Sequence, residues 1–418
     1  MIDRSLTRWT LSLLTVASLT AIADTSFAAG SLDKPEELVG LAANITEQVS
    51  FDNNLYRLPD WMDPTTIFGP NAKRDDWLNV LSFRLAGRWP KGRQDLYFDA
   101  HVDDNRFRTA TELNHVEGAG VARWDWTIRD STGQVGVNYQ RFFPGFANYR
   151  LPSLNLVTKE QGFATGNFRL GPTWSINAAA RRDRTFESLD VLKINENSDN
   201  QGSLGLQLDT KVGNQYGFDY SYTRAKFPFP TLILGVPFDK DYYSTLAAGR
   251  MTYHATTTLT LQGDFGYLKR EYTAASASQN FSGDVWHASV IWQPAEQWTI
   301  TLLGARELTA YVDAESQYFI SNRGGATFDW QMTRKVDLRL DAVREKRRYV
   351  ADPTNLTIGF LRDDTQDTGT LTLVLAPTRN FVITAGYRYD KRDSNYVSLG
   401  YVDSTARLAF LYQFRGGG

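Results

Sequence analysis

The residues best suited to acid–base chemistry in this sequence surround one histidine. His101 is flanked at alternate positions by Asp99 and Asp103, so that an imidazole could be held between two carboxylates. The chain has no cysteine and carries neither a G-x-S-x-G nor an H-E-x-x-H motif. Strand alternation explains the His101 group equally well, so we predict no enzymatic activity, no catalytic residue, no cofactor and no metal site. Three further histidines lack metal-ligand spacing: His115, His254 and His287.

The sequence around His101 has the alternating polarity of a β-hairpin with two unlike faces. Phe83 and Leu85 alternate with Arg84, and the same alternation resumes after a tight segment at residues 90–93. The apolar face must therefore lie either against a protein core or against lipid.

Composition excludes several classes of protein. The 418 residues carry a formal net charge of −2 and no cysteine, which excludes an evenly basic nucleic-acid binder and a disulfide scaffold. A hydrophobic content of 42% excludes a disordered chain.

The first residues predict a signal peptide, residues 1–28. Arg4 and Arg8 precede a short apolar run, and Ala28 ends a small-x-small sequence suited to signal peptidase. A membrane-spanning helix is the weaker interpretation because the run is too short. We expect a short periplasmic segment at 29–37 and a barrel domain at 38–418, with no plug domain before the first strand.

Turn-like segments recur at intervals of about 40 residues, and such a period calls for an explanation. A β-propeller has a similar period, but each blade needs four short strands, whereas two long alternating runs flank each turn here. Long strands with tight turns at one end and long loops at the other are typical of outer-membrane barrels. We predict an all-β fold, a transmembrane antiparallel up-and-down β-barrel of about 18 strands (16–18). The turns lie near residues 91, 131, 172, 213, 256, 295, 333 and 378.

Tryptophans favour lipid as the neighbour of the apolar face. Six of them sit beside tight turns in the apolar phase of their strands, whereas a soluble all-β protein would scatter its aromatic side chains over both phases. Indoles at one level predict an aromatic belt at the membrane interface. The predicted belt consists of Trp89, Trp126, Trp174, Trp292, Trp298 and Trp330.

The opposite phase is rich in charges of both signs. Buried charges without water or partners would cost several kcal/mol each, so a water-filled lumen is expected, with arginine and aspartate answering one another. Near-balance of charge favours a neutral hydrophilic passenger, although the pairs could equally serve only to brace the wall. The predicted pore-lining residues are Arg84, Asp99, His101, Asp103, Arg123, Asp125, Arg169, Asp209, Asp219, Arg250, Asp264, Arg323, Asp329, Asp337, Arg339, Asp341, Arg388 and Arg407.

Two aromatic and proline-rich loops, 142–161 and 226–243, are candidates for a constriction. Either one or both fold inward or against a partner, with Tyr149, Phe227 and Phe229 offering rings to sugars, or they pack as surface loops. Deletion of residues 229–237 is expected to raise conductance if the loop constricts the opening.

The segment TEQVSFDNNLYRLPDW, residues 46–61, resembles the first strand and loop of the EpsL-like outer-membrane β-barrel (porin-like) proteins of exopolysaccharide biosynthesis operons. The likeness is close over this segment and only architectural elsewhere. It implies a barrel that helps to move an extracellular polysaccharide through the outer membrane, alongside other envelope machinery. It supplies no site residues; Asp60 and Asp63 either bind a cation or only solvate the loop.

These observations lead to one functional hypothesis and two alternatives. We expect a passive conduit for exopolysaccharide export in the outer membrane of a Gram-negative bacterium. The alternatives are a general hydrophilic diffusion porin and a non-conducting structural barrel that anchors envelope partners. The expected partners are outer-membrane lipid, the polysaccharide passenger and periplasmic or inner-membrane export machinery, but no nucleic acid.

Overall fold

The computed structural model describes residues 39–233, 236–273, 280–310, 316–351 and 362–415. The predicted signal peptide and the predicted segment at 29–37 lie outside the described residues. None of the helices in these ranges has the length and apolar content needed to cross a bilayer.

Eighteen antiparallel strands form one closed barrel, which confirms the predicted fold class. Each strand pairs with its neighbours in sequence, and β1 closes the ring by pairing with both β2 and β20. Closure satisfies every strand edge, as a bilayer requires. The barrel strands are β1 (Gly40–Asp52), β2 (Asp76–Lys91), β3 (Gln94–Phe107), β4 (His115–Ile128), β5 (Ser131–Phe142), β6 (Val157–Arg169), β7 (Trp174–Glu187), β8 (Asn197–Asp209), β9 (Gln215–Lys226), β12 (Tyr242–His254), β13 (Leu259–Tyr272), β14 (Phe281–Ala295), β15 (Trp298–Ala310), β16 (Ser316–Thr333), β17 (Val336–Ala351), β18 (Asp363–Thr378), β19 (Phe381–Ser394) and β20 (Tyr401–Arg415).

Small elements decorate the loops at one end of the barrel. A short hairpin, β10 (Thr231–Ile233) and β11 (Val236–Phe238), lies between β9 and β12. The helix α1 (Thr65–Phe68) belongs to the β1–β2 loop. Single 3-10 turns occur at Thr111–Leu113, Asp190–Asn195 and Val397–Leu399.

The other end of the barrel carries the short turns, at all eight predicted places. Three of them contain a residue of positive φ: Gly92 (64°), Arg129 (55°) and Gly213 (86°). Such a conformation suits the twist of a tight β-turn and is easiest for glycine. The first strand begins and the last strand ends on this same side, because Gly40 lies opposite Arg88 and Phe414 opposite Ala43.

The two faces of the wall differ in polarity. On β2, Leu81 and Phe83 are 49% and 47% exposed, whereas Ser82 between them is 8% exposed. The exposed apolar side chains recur around the barrel at every second position. Each large one gains roughly 1.5–3 kcal/mol by leaving water, so this outer face stabilises the fold only when it meets lipid.

Gly133 provides a test of wall packing. The indole of Trp126 lies over Gly133, its cross-strand partner, and a Cβ on Gly133 would overlap both this ring and the Thr165 carbonyl oxygen. We expect Gly133→Ala to lower the free energy of unfolding by about 1–3 kcal/mol, as overpacking does. Urea unfolding in detergent, followed by tryptophan fluorescence, measures this change.

Gly162→Ala is the matched control, because a Cβ there meets no atom within 4 Å. Equal stability of the two variants would show that the Gly133 site has room to adjust.

Candidate functional site in the barrel interior

All the predicted pore-lining residues occupy the inward phase of their strands. Register shows this directly: Arg84 lies opposite His101, and Asp329 opposite Arg339, on the face that lacks the exposed apolar side chains. A role in permeation stays a prediction for each of them.

Arginines and carboxylates on this face form ion pairs within one strand and between neighbouring strands. Arg123 and Asp125, for example, lie two positions apart on β4 and point the same way. Exposed pairs of this kind contribute about 0–1 kcal/mol each, so their main effect is to cancel charge locally. Arg84 contacts Asp99 through two nitrogens, with Nε at 2.8 Å from Oδ1. The nitrogen–oxygen distances of the other pairs are 2.8 Å for Arg123–Asp125, 3.0 Å for Arg169–Asp209, 3.0 Å for Arg250–Asp219, 3.0 Å for Arg339–Asp341 and 3.3 Å for Arg388–Asp390.

The His101 group does not form a catalytic arrangement. His101 Nε2 lies 3.6 Å from Asp103, beyond hydrogen-bonding distance. Asp99 accepts hydrogen bonds from Arg84 and from the Tyr97 hydroxyl instead. The two carboxylates beside the histidine therefore belong to separate contacts.

A row of charged side chains around His287 was not predicted from the sequence. His287 Nδ1 lies 2.9 Å from Asp264 and Nε2 lies 2.6 Å from Glu307, which is 3.7 Å from Arg323. The ring satisfies both carboxylates only as an imidazolium that donates from both nitrogens. Asp264, His287 and Arg323 line part of a lumenal recess of about 490 Å³ that extends from β6 to β16. The sequence gives little indication of this contact, because the long loop between β13 and β14 does not determine which of their residues lie opposite each other.

A second unpredicted feature is a set of arginines that stack on aromatic rings near the loop end of β16–β20. Burial of these rings under guanidinium groups takes their faces away from any passenger. The ring-centroid distances are 5.4 Å for Arg347 over Phe319, 4.1 Å for Arg362 over Tyr349 and 5.0 Å for Arg392 over Tyr401.

Within the predicted loop 142–161, residues 143–156 connect β5 to β6 and cross part of the barrel mouth, whereas residues 157–161 belong to β6. Arg392, an inward side chain of β19, donates hydrogen bonds to Ala147 O (2.7 Å) and Asn148 Oδ1 (3.2 Å). In return, Arg150 donates to the carbonyl oxygens of Ser398 and Arg57. The loop therefore extends from β5 past the β1–β2 loop and contacts the β19–β20 loop.

An apolar cluster anchors this crossing loop. Phe146 is 2% exposed and packs with Tyr56 and Phe68 of the β1–β2 loop, at ring distances of 5.0 and 5.2 Å. Burial lowers the pKa of Arg150 to about 10 and raises that of the Tyr56 hydroxyl to about 12. Both shifts reflect how little water reaches this interface.

The three predicted constriction residues have different surroundings. The Tyr149 hydroxyl accepts a hydrogen bond from Asn195 Nδ2 (2.9 Å). The ring of Phe227 lies 6.3 Å from that of Tyr242, and Phe229 is 41% exposed. The Phe227 contact thus keeps this part of loop 226–243 close to its own hairpin, whereas loop 142–161 crosses part of the mouth.

The six tryptophans of the predicted belt all lie on the outward phase next to the short turns. Trp89, Trp174, Trp292 and Trp298 are 43–47% exposed. Trp124, 46% exposed, points the same way and was missing from the prediction.

Asp60 and Asp63 in the β1–β2 loop are not part of a metal site within the described residues. Asp63 Oδ1 accepts a hydrogen bond from Thr65 N at 2.9 Å, which lowers the pKa of its carboxyl. Within the described ranges, no group of three or more potential ligands is placed to hold a metal ion.

Comparison with protein families gives one match. Residues 243–414 match the family described as "Putative beta-barrel porin 2". A closed barrel with outward apolar side chains, outward tryptophans beside the short turns and this match together indicate where the protein resides. The chain is a β-barrel of the Gram-negative outer membrane, and its second half is similar to this porin family. The predicted location is confirmed, and no curated protein matches the sequence.

Solved structures with similar folds share little sequence with the porin-like barrel. The outer membrane protein opdK from Pseudomonas aeruginosa has 10% identity over 90% of this chain and 99% of its own, with a TM-score of 0.47. A BenF-like porin from Pseudomonas fluorescens Pf-5 has 9% identity over 90% and 100%, with a TM-score of 0.48. The FrpB iron transporter from Neisseria meningitidis (F3-3 variant) has 11% identity over 89% of this chain and a TM-score of 0.46; this chain spans 64% of its length.

Proposed function

We propose that this barrel is a passive, hydrophilic conduit for the export of an exopolysaccharide across the outer membrane. The observation that carries the proposal is local charge cancellation along the inner wall. Arg84, Arg123 and Arg250 each have a carboxylate partner at 2.8–3.0 Å. Along the described strands, these pairs make the wall polar enough to wet without forming a ring of a single sign that would select ions.

The size of the barrel agrees with a polymeric passenger. Eighteen strands enclose an aqueous channel unless side chains or loops fill it. The crossing loop 142–161 occupies part of the mouth and is held by side-chain contacts to Arg392 rather than by continuous strand pairing. Such a loop limits the opening and can still be displaced. The resemblance of residues 46–61 to EpsL-like proteins supports the same assignment.

A general diffusion porin is the second candidate. The lumenal recess of about 490 Å³ beside His287 has the size of a small solute rather than of a polymer. Amide, hydroxyl and charged groups line it, including Gln207 and Ser289. A non-conducting structural barrel is a third possibility, which a measurement of conductance separates from both others.

Deletion of the gene tests the proposed function. We expect the deletion strain to lose surface polysaccharide while the uptake of small solutes stays unchanged, and the purified barrel to conduct in planar bilayers. Intact polysaccharide with reduced small-solute uptake would favour the diffusion porin. Absence of conductance from correctly folded protein would favour the structural barrel.

A further inference from the structure

The outer surface of the barrel has a groove of about 620 Å³ across β3 to β7. Most of its lining residues are on the outward phase of their strands, including the exposed Val137 and Tyr139, so it opens away from the lumen. Strand register orders ten of its fourteen lining residues into two rows of directly opposed outward residues. The other four, Asp99, Val121, Asn138 and Gln161, lie between these rows on the inward phase of their strands. The rows are Phe98, Ala122, Val137, Gly162 and Arg182, and Ala100, Gly120, Tyr139, Glu160 and Arg184.

Small residues form the floor of this groove. Ala100, Gly120 and Ala122 lie side by side, and a Cβ on Gly162 would meet no atom within 4 Å. Phe98 and Tyr139 stand beside them as larger walls. A narrow apolar channel on a lipid-facing surface suits an extended hydrocarbon chain.

The groove runs obliquely through the membrane because the strands are tilted. Phe98 lies four positions after the start of β3, whereas Arg182 lies eight positions after the start of β7. At 3.3 Å per residue and a tilt near 40°, Arg182 stands about 20 Å above the level of Trp174. One end of the groove thus reaches the outer headgroups, and the other lies in hydrocarbon.

Cations without partners surround the upper end. Within the described residues, no ion pair or hydrogen bond involves the side chain of Arg182, Arg184 or Arg224. Glu160 lies opposite Arg184 in register but forms no ion pair with it in that part of the chain. The far wall, formed by strands β14 to β19, has outward cations that are mostly paired. The pairs are Arg306 with Asp284, Arg344 with Asp367, Arg348 with Asp363 and Lys391 with Asp393, whereas Lys346 has no ion pair within the described residues.

We infer that this groove binds a phosphorylated lipid of the outer leaflet, with an acyl chain on the floor and a phosphate between Arg182 and Arg184. Guanidinium groups bind phosphate oxygens in bidentate geometry, and two of them side by side provide the countercharge. The small-residue floor admits the chain below. The inference concerns the outer surface and does not depend on the function of the lumen.

Native mass spectrometry of the full barrel in detergent with lipid A tests this inference. We expect wild-type protein to retain diphosphorylated lipid A, and R182Q/R184Q to bind it at least tenfold more weakly. G162L, which fills the floor, should also lose binding. Matched controls on the far wall are R344Q/R348Q and G369L, since a Cβ on Gly369 also meets no atom within 4 Å; both should bind like wild type.

Three results would overturn the inference. Binding by R182Q/R184Q at the wild-type level would remove the arginine site. Equal retention of fully dephosphorylated lipid A would show that phosphate is not recognised. Equal losses of lipid A binding in the far-wall controls would show that removal of charge or addition of bulk weakens binding wherever it is made on the outer surface. Heat-dependent gel migration confirms that each variant is folded.

Discussion

Replacement of residues 145–154 by a short Gly-Ser linker is expected to raise the single-channel conductance in planar bilayers several-fold. The reason is the position of loop 142–161. Its backbone at Ala147 is held by Arg392, whose side chain points into the barrel, and Arg150 adds a contact to Ser398 in the β19–β20 loop. A loop that crosses the mouth excludes ions from the part of the cross-section that it occupies. Removal of the loop therefore widens the path that ions can take.

Arg392→Gln provides a milder version of the same change. Arg392 is almost fully buried, and loss of its bonds to Ala147 O and Asn148 Oδ1 frees one side of the loop while the Phe146 cluster stays. We expect a smaller rise in mean conductance and more current noise. Deletion of residues 229–237 is expected to change the conductance least, because Phe229 is exposed and Phe227 contacts its own hairpin. Unchanged conductance after loss of residues 145–154 would show that the loop does not obstruct the ion path.

The architecture could be predicted because it follows from local patterns. Each hairpin has its own alternation and tight turn, and the tryptophan beside the turn reports the level of the membrane. Eight such turns fix an even strand number, so closure with eighteen strands required only the first and last strands in addition.

The contacts that shape the interior could not be predicted because they depend on register and on distance along the chain. Asp264 meets His287 only because β13 and β14 pair with one particular offset, which the intervening loop does not set. Arg392 and Ala147 are 245 residues apart. Such contacts leave no periodic trace in the sequence.

The outer groove shows a different limit of sequence patterns. Alternation places Arg182 and Arg184 on the lipid-facing phase, where arginine is unfavourable at the midplane of the bilayer. The position along β7 explains why these arginines are tolerated. Arg182 lies eight residues after Trp174, which brings it to the level of the outer headgroups. Depth in the membrane, and not phase alone, decides whether a charged outward residue is tolerated.

Removal of lumenal carboxylates is expected to make the barrel selective for anions. In the triple variant Asp99→Asn, Asp125→Asn and Asp219→Asn, the guanidinium groups of their arginine partners lose their countercharges while side-chain volume is kept. A unit charge about 4 Å from an ion changes its energy by about 1 kcal/mol in water, a factor of about five in local concentration. The permeability ratio of chloride to potassium should therefore rise several-fold from a wild-type value near one. Reversal potentials in a salt gradient at low ionic strength, where screening is weak, measure it.

Charge-neutral removal of the same contacts is the matched control for this selectivity. Arg123→Gln with Asp125→Asn deletes both members of the pair on β4 and leaves the net charge of the lumen unchanged. Because ions respond to the net field of the wall rather than to the number of its ion pairs, this double variant should keep the wild-type ratio. An unaltered ratio in the triple variant would mean that ions do not pass close to these arginines, and the charge-balanced wall would then not be the surface that a passenger meets.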